Sequence, residues 1–190
     1  MRNIEQDATA GLERWGSVGL LLVLAGWTWS FARTPMGPSD MDSILHLPDL
    51  VFHEAGHVLF MPFGRFLTVL GGSLTQVLVP VVCVVAFIRQ DQRVSAGVCA
   101  WWAGQNLVDL APYIADARAL NLVLLGGQTG AEVEGHDWEF ILTQLGALHL
   151  DRTIGLCAHY GGLLVMMLSL GWAAWSVFTA FSRQQAMLDR

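Results

Sequence analysis

Apolar residues along this chain come in long blocks separated by short polar segments, so its helices are predicted by block length more than by an amphipathic period. Residues 16–31 form the first block, with Trp15, Trp27 and Trp29 placed as an interfacial aromatic belt would be. A polar segment with Pro35, Gly37, Pro38, Asp40 and Asp42 follows. From Leu45 the chain is apolar again to Ile88, too long for one crossing at about twenty residues per span. Pro62, Gly64 and the Gly71-Gly72 pair are the candidate breaks inside it. Arg89 to Arg93 reads as a charged turn, and residues 94–115 as a further span leaving the membrane at Asp116-Ala117-Arg118. The glycine-rich segment 126–136 reads as a loop. Asp137 is expected to cap an amphipathic, interfacial helix over 138–149, with Phe140, Ile141, Leu145 and Leu148 on one face. The last span covers 153–181.

This pattern predicts an all-α, polytopic membrane bundle with four or five transmembrane helices: about 16–31, 45–62, 66–88, 94–115 and 153–181. No repeat or composition break divides it, so residues 1–190 are read as one integral membrane domain. Composition agrees, with 54% hydrophobic and 14% charged residues. Lysine is absent and the net charge is −6, leaving no basic stripe to follow a nucleic acid backbone. Nucleic acid is therefore excluded as a partner, and membrane lipids are expected. Cys83, Cys99 and Cys157 lie in apolar runs without a CxxC pair, which argues against a disulfide framework or zinc ribbon. The first apolar run follows Glu5, Asp7 and Glu13 and lacks a small-x-small cleavage site, so it reads as a retained anchor. With the second block turning back near Pro62, Arg2, Arg14, Arg89, Arg93, Arg183 and Arg190 fall on one side. That count favours a cytoplasmic N-terminus in a bacterial-type inner (plasma) membrane.

Chemistry enters with His53-Glu54-Ala55-Gly56-His57, an HExxH signature inside the long apolar block. Histidines four apart share one helix face, and the glutamate between them can act as base for a water activated by zinc. Three ionisable groups within five residues of a membrane helix each cost about 2.5–3.5 kcal/mol unless paired or ligated. A catalytic zinc needs a third protein ligand. Asp116 and His136 compete for that role, with Asp109 and His159 behind them. Asn106, Asp109, Tyr113 and Asp116 recur at i, i+3, i+7 and i+10, a polar stripe expected to face the bundle interior. Its plainer reading is a hydrogen-bonded packing seam between helices. Asn106, or a backbone amide beside Gly71-Gly72, is the candidate for stabilising an oxyanion.

An HExxH on a membrane helix, then a glycine pair, then an Asn/Pro/Asp stretch on another apolar helix, resembles the site-2 protease family of intramembrane zinc metalloproteases. The resemblance covers residues 49–118. In that family the later motif is NxxPxxxLDG, whose aspartate is the third zinc ligand. Here Asn106 stands six residues before Pro112, Asp116 stands four after it, and Ala117 replaces the glycine. The resemblance implies a zinc cofactor held by His53, His57 and a third group, with Glu54 catalytic. It implies as substrate a transmembrane or membrane-adjacent protein, unwound so that a peptide carbonyl reaches the zinc. A non-catalytic metal-binding scaffold is the alternative. A haem or redox protein using His53 or His57 with His159 is a further one.

Overall fold

The computed structural model describes residues 2–34, 36 and 43–188, with side chains described between residues 15 and 182 of that set. The expected polar segment around Pro35, Gly37, Pro38, Asp40 and Asp42 lies outside the described residues. So do the side chains of Arg2, Arg14, Arg183 and Arg190, on which the orientation count depends. Among the described residues the chain is all-α: α1 (Arg2–Arg33), α2 (His46–Phe60), α3 (Arg65–Arg89), α4 (Arg93–Ala115), α5 (Asp137–Gln144) and α6 (Asp151–Leu188). Short 3-10 turns at Met61–Phe63 and Leu148–Leu150 join neighbouring helices.

Among the described residues, three helical segments are long and apolar enough, by length and composition, to cross a bilayer: Trp15–Arg33, Arg65–Arg89 and Leu148–Ser182. The chain pattern predicts four or five, and two segments fall short for different reasons. The 15 residues of α2 span only about 22 Å at 1.5 Å per residue, against a hydrocarbon core of about 30 Å. In α4, Gln105, Asn106 and Asp109 dilute the apolar run. Those three residues are buried, because α4 packs against both α3 and α6 and presents its polar groups to protein instead of lipid. These three candidate spans among the described residues suggest a membrane protein.

Of the candidate breaks in the long apolar block, Pro62 and Gly64 mark the real one. Pro62 sits at the start of the 3-10 turn, where its missing N–H costs nothing, and Gly64 takes φ 92°, a conformation costly for any other residue. Gly71 and Gly72 lie inside α3 and serve packing instead. A Cβ on Gly56 would strike the Gly71 carbonyl oxygen, and one on Gly71 would lie 2.7 Å from Phe60 Cβ. The short turn makes α2 and α3 an antiparallel hairpin with their backbones in close contact.

A second glycine contact joins α4 to α6. A Cβ on Gly104 would lie 2.7 Å from the Gly162 carbonyl oxygen, and one on Gly162 would lie 2.5 Å from that of Gly104. Helices in lipid gain nothing from hiding apolar surface from one another, so such small-residue contacts carry their association through packing. Around this seam Leu24, Phe31, Trp101, Val108, Leu163 and Met166 form the buried core, and Trp101 donates to Thr28 Oγ1 at 2.8 Å. α5 ends earlier than the expected 138–149 helix. Gly146 adopts φ 65° and Ala147 N–H returns to the Leu142 carbonyl at 2.8 Å, a Schellman-type stop. The face of α5 carrying Ile141 and Leu142 is buried in protein, and Trp138 Nε1 donates to Ser73 Oγ of α3 at 3.1 Å.

The glycine seam predicts that Gly104→Leu forces α4 and α6 apart. Overpacking of this kind costs about 1–3 kcal/mol. Thermal unfolding of the detergent-solubilised protein should show a clear drop in Tm, and an unchanged Tm would count against the seam.

Candidate metal centre

Residues 53 and 57 lie one turn apart on α2, and the close approach of α3 decides where their rings point. His57 Nδ1 lies 2.9 Å from the Thr68 carbonyl oxygen, and His53 Nδ1 lies 3.0 Å from Gln76 Oε1, both on α3. A carbonyl oxygen only accepts, so each Nδ1 donates to the acceptor behind it, and each Nε2 is turned to the opposite side of its ring. The two rings meet edge to face with centroids 4.9 Å apart. Gly72 makes room for them: a Cβ there would lie 2.6 Å from His53 Nε2 and 2.7 Å from His57 Nε2.

Asp137, the first residue of α5, completes the group. Its Oδ2 lies 2.9 Å from His53 Nε2 and 3.2 Å from His57 Nε2, across a separation of 84 residues from His53. The ligand atoms of His53, His57 and Asp137 all fall within 4.8 Å of one another, close enough to share one cation. Burial pulls the Asp137 carboxyl upward, but the imidazoles of His53 and His57 outweigh it and hold the pKa below the ordinary carboxylate range. Two imidazoles oriented by acceptors behind them, facing an ionised carboxylate, form a donor set suited to a divalent metal.

The structure places the expected third ligands elsewhere. Asp116 turns both carboxylate oxygens to the loop that follows it, accepting from the Asn121 and Leu122 amides at 3.0 Å each. His136 is the N-cap of α5, with Nδ1 accepting from Glu139 N–H at 3.2 Å. Burial pushes the His136 pKa down, and its Nε2 lies 3.5 Å from Asp116 Oδ2. Asp137 is thus not the cap expected of it. The extended backbone of His136 (φ −76°, ψ 106°) ends the loop one residue earlier, freeing the Asp137 side chain to face the histidines. Aspartate at a helix start reads as a cap, and only the loop's path separates the two roles.

Other expected residues also have defined positions. Asn106 is buried and donates to the Trp102 carbonyl of its own helix at 2.9 Å, outside the cavity lining. Gly71 and Gly72 lie within α3, where helical hydrogen bonding engages their amides, so they are not oxyanion donors. His159 is buried in α6 and does not join the metal group. Asp109 and Tyr113 of the polar stripe do reach the site. Asp109 accepts from Gln76 Nε2 at 2.8 Å, and the Tyr113 hydroxyl accepts from Asp137 N–H at 2.9 Å.

Beside the group lies a cavity of about 570 Å³, lined by Glu54, Asp109 and Tyr113 and by loop residues including Leu124 and Glu134. The loop, residues 116–136, closes on itself through a bridge between Val123 and Thr129 and a Leu124 N–H to Gln128 carbonyl bond of 2.8 Å. Glu54 is solvent-exposed at this cavity, on the helix that carries both histidines. The arrangement brings a carboxylate, a phenol and a three-donor group that could hold a metal ion to one opening. No protein-family model, curated protein or solved structure gives a significant match to this chain.

The donor geometry predicts metal contents for an alanine series. Asp137→Ala should weaken metal binding by more than about 100-fold, since removing even an outer partner of a ligand costs about 10–100-fold. Asp116→Ala and His136→Ala should keep about one equivalent. Elemental analysis of the purified variants checks this, and full occupancy in Asp137→Ala would remove Asp137 from the site.

Proposed function

We propose that this chain is a multi-pass membrane zinc metallopeptidase of the site-2 protease kind, hydrolysing peptide bonds of membrane-associated proteins. One observation carries the reading: the Nε2 atoms of His53 and His57 converge on an Asp137 oxygen beside a cavity to which Glu54 is open. Imidazole and carboxylate donors in a two-histidine, one-carboxylate set match catalytic zinc, which keeps a position for water. His53, His57 and Asp137 would hold the ion. When bound there, zinc supplies a Lewis acid that polarises a peptide carbonyl and lowers the pKa of water towards about 7.

The chain's own residues then account for the proton and the substrate. Glu54 takes a proton from the attacking water as its oxygen bonds to the carbonyl carbon. It delivers that proton to the amide nitrogen as the C–N bond breaks. Tyr113 uses its hydroxyl oxygen to accept from Asp137 N–H, which leaves its own O–H free to donate to the developing oxyanion. Leu50, Leu110, Leu124 and Leu125 along the cavity suit an apolar, extended peptide segment. The exposed position of Glu54 at the cavity supports catalysis over a purely structural metal.

Purified protein should contain zinc by elemental analysis and cleave apolar transmembrane peptides in detergent, with cleavage sites read by mass spectrometry. Glu54→Gln should keep the metal and lose about 10²–10⁴-fold in rate, the usual worth of a general base. Tyr113→Phe should lower kcat by about 10²–10³-fold, the worth of one oxyanion donor, with KM nearly unchanged. Iron in place of zinc, or cleavage that survives Glu54→Gln, would sink the peptidase reading. Metal with no cleavage of any peptide would favour a binding scaffold.

A further inference from the structure

The two imidazoles are oriented by different kinds of acceptor. Behind His57 stands a backbone carbonyl, Thr68 O at 2.9 Å, which can only accept. Behind His53 stands a side-chain amide, Gln76, which could turn either its oxygen or its nitrogen to the ring. Only one choice suits a metal. With Oε1 facing the ring, Nδ1 holds the proton and Nε2 offers a lone pair; with Nε2 facing it, Nδ1 becomes the acceptor and the proton moves to the side where the cation must bind.

The choice is made one shell further out. Gln76 is 2% exposed and Asp109 3%, so each has its partners mainly within the protein. Asp109 lies 2.8 Å from Gln76 Nε2, and a carboxylate has no proton to give. The amide nitrogen is therefore drawn to Asp109, and Oε1 is left for His53 Nδ1 at 3.0 Å. Asp109 is held in turn by His46, the first residue of α2, whose Nδ1 lies 2.9 Å from Oδ1 and 3.1 Å from Oδ2. The chain His46, Asp109, Gln76, His53 thus runs from α2 through α4 and α3 back to α2.

We propose that Asp109, anchored by His46 and acting through Gln76, is a positioning residue that holds His53 in its metal-binding tautomer. The inference rests on the metal reading given above, and its test separates the two. Full-length Asp109→Asn, Gln76→Met and the double variant are purified in detergent. Zinc affinity is read by competition with a chromophoric chelator. In metal-free protein carrying 15N-histidine, NMR reports whether His53 Nδ1 is protonated, its resonance identified by loss in His53→Ala.

An asparagine at 109 brings a donor to Gln76 and frees the amide to turn over. Asp109→Asn and Gln76→Met should each weaken zinc binding by about 10–100-fold. The double variant should bind no more weakly than Gln76→Met alone, because Asp109 acts only through that amide. His53 Nδ1 should be protonated in the parent protein and lose that proton in Asp109→Asn. Losses that add in the double variant, or wild-type affinity with a protonated Nδ1 in Asp109→Asn, overturn the proposal. A parent protein that binds no divalent metal overturns the metal reading alone, since the Nδ1 proton still reports the coupling.

Discussion

The architecture depends on how closely the backbones of α2 and α3 approach. Gly56, Gly71 and Gly72 leave no side chain between them, and a Cβ at any of the three would collide with backbone or ring atoms of the partner helix. That contact brings Thr68 O and Gln76 Oε1 within reach of the two imidazoles, and it clears the space in which the rings turn towards each other. In an apolar solvent, where lipid tails are as good a neighbour as leucine, close packing and hydrogen bonds are what bind helices together. One glycine-lined contact therefore serves both association and site geometry.

Polar groups in the bundle obey the same constraint. A buried donor or acceptor without a partner is costly where water is excluded, and several polar residues of the helices are paired across helix boundaries. Trp102 Nε1 donates to Asp49 at 2.8 Å, joining α4 to α2, and Trp101 does the same to Thr28, joining α4 to α1. Gln76 and Asp109 join α3 to α4. The exposed face of α2 carries Leu47, Val51, Val58 and Leu59, with Glu54 among them at helical spacing where that face meets the cavity. The polar seam and the candidate metal group are thus two ends of one network. The packing-seam reading and the site reading of the stripe on α4 both describe part of it: Asn106 stays within its helix, whereas Asp109 and Tyr113 reach the cavity.

Local spacing and composition, without the fold, determine the helical class, the apolar blocks that become α1, α3 and α6, and the shared face of His53 and His57. These depend on periodicity and hydropathy, which act over a few residues. The break at Pro62 and Gly64 was also legible, because proline and glycine bias the backbone wherever they occur. The number of spans was not, since α4 carries polar residues whose burial depends on which helices surround it. Nor was the third donor. Choosing among Asp116, His136 and Asp137 requires the path of a 21-residue loop, 116–136, whose anchoring bonds from Asp116 and cap at His136 form only in the folded chain. The orientation of Gln76 was equally invisible, because an amide's direction is set by partners 23 and 33 residues away. Sequence determined which side chains share a helix face, because that is a property of one turn of backbone; tertiary structure decided which of them meet, because that depends on contacts between segments far apart along the chain.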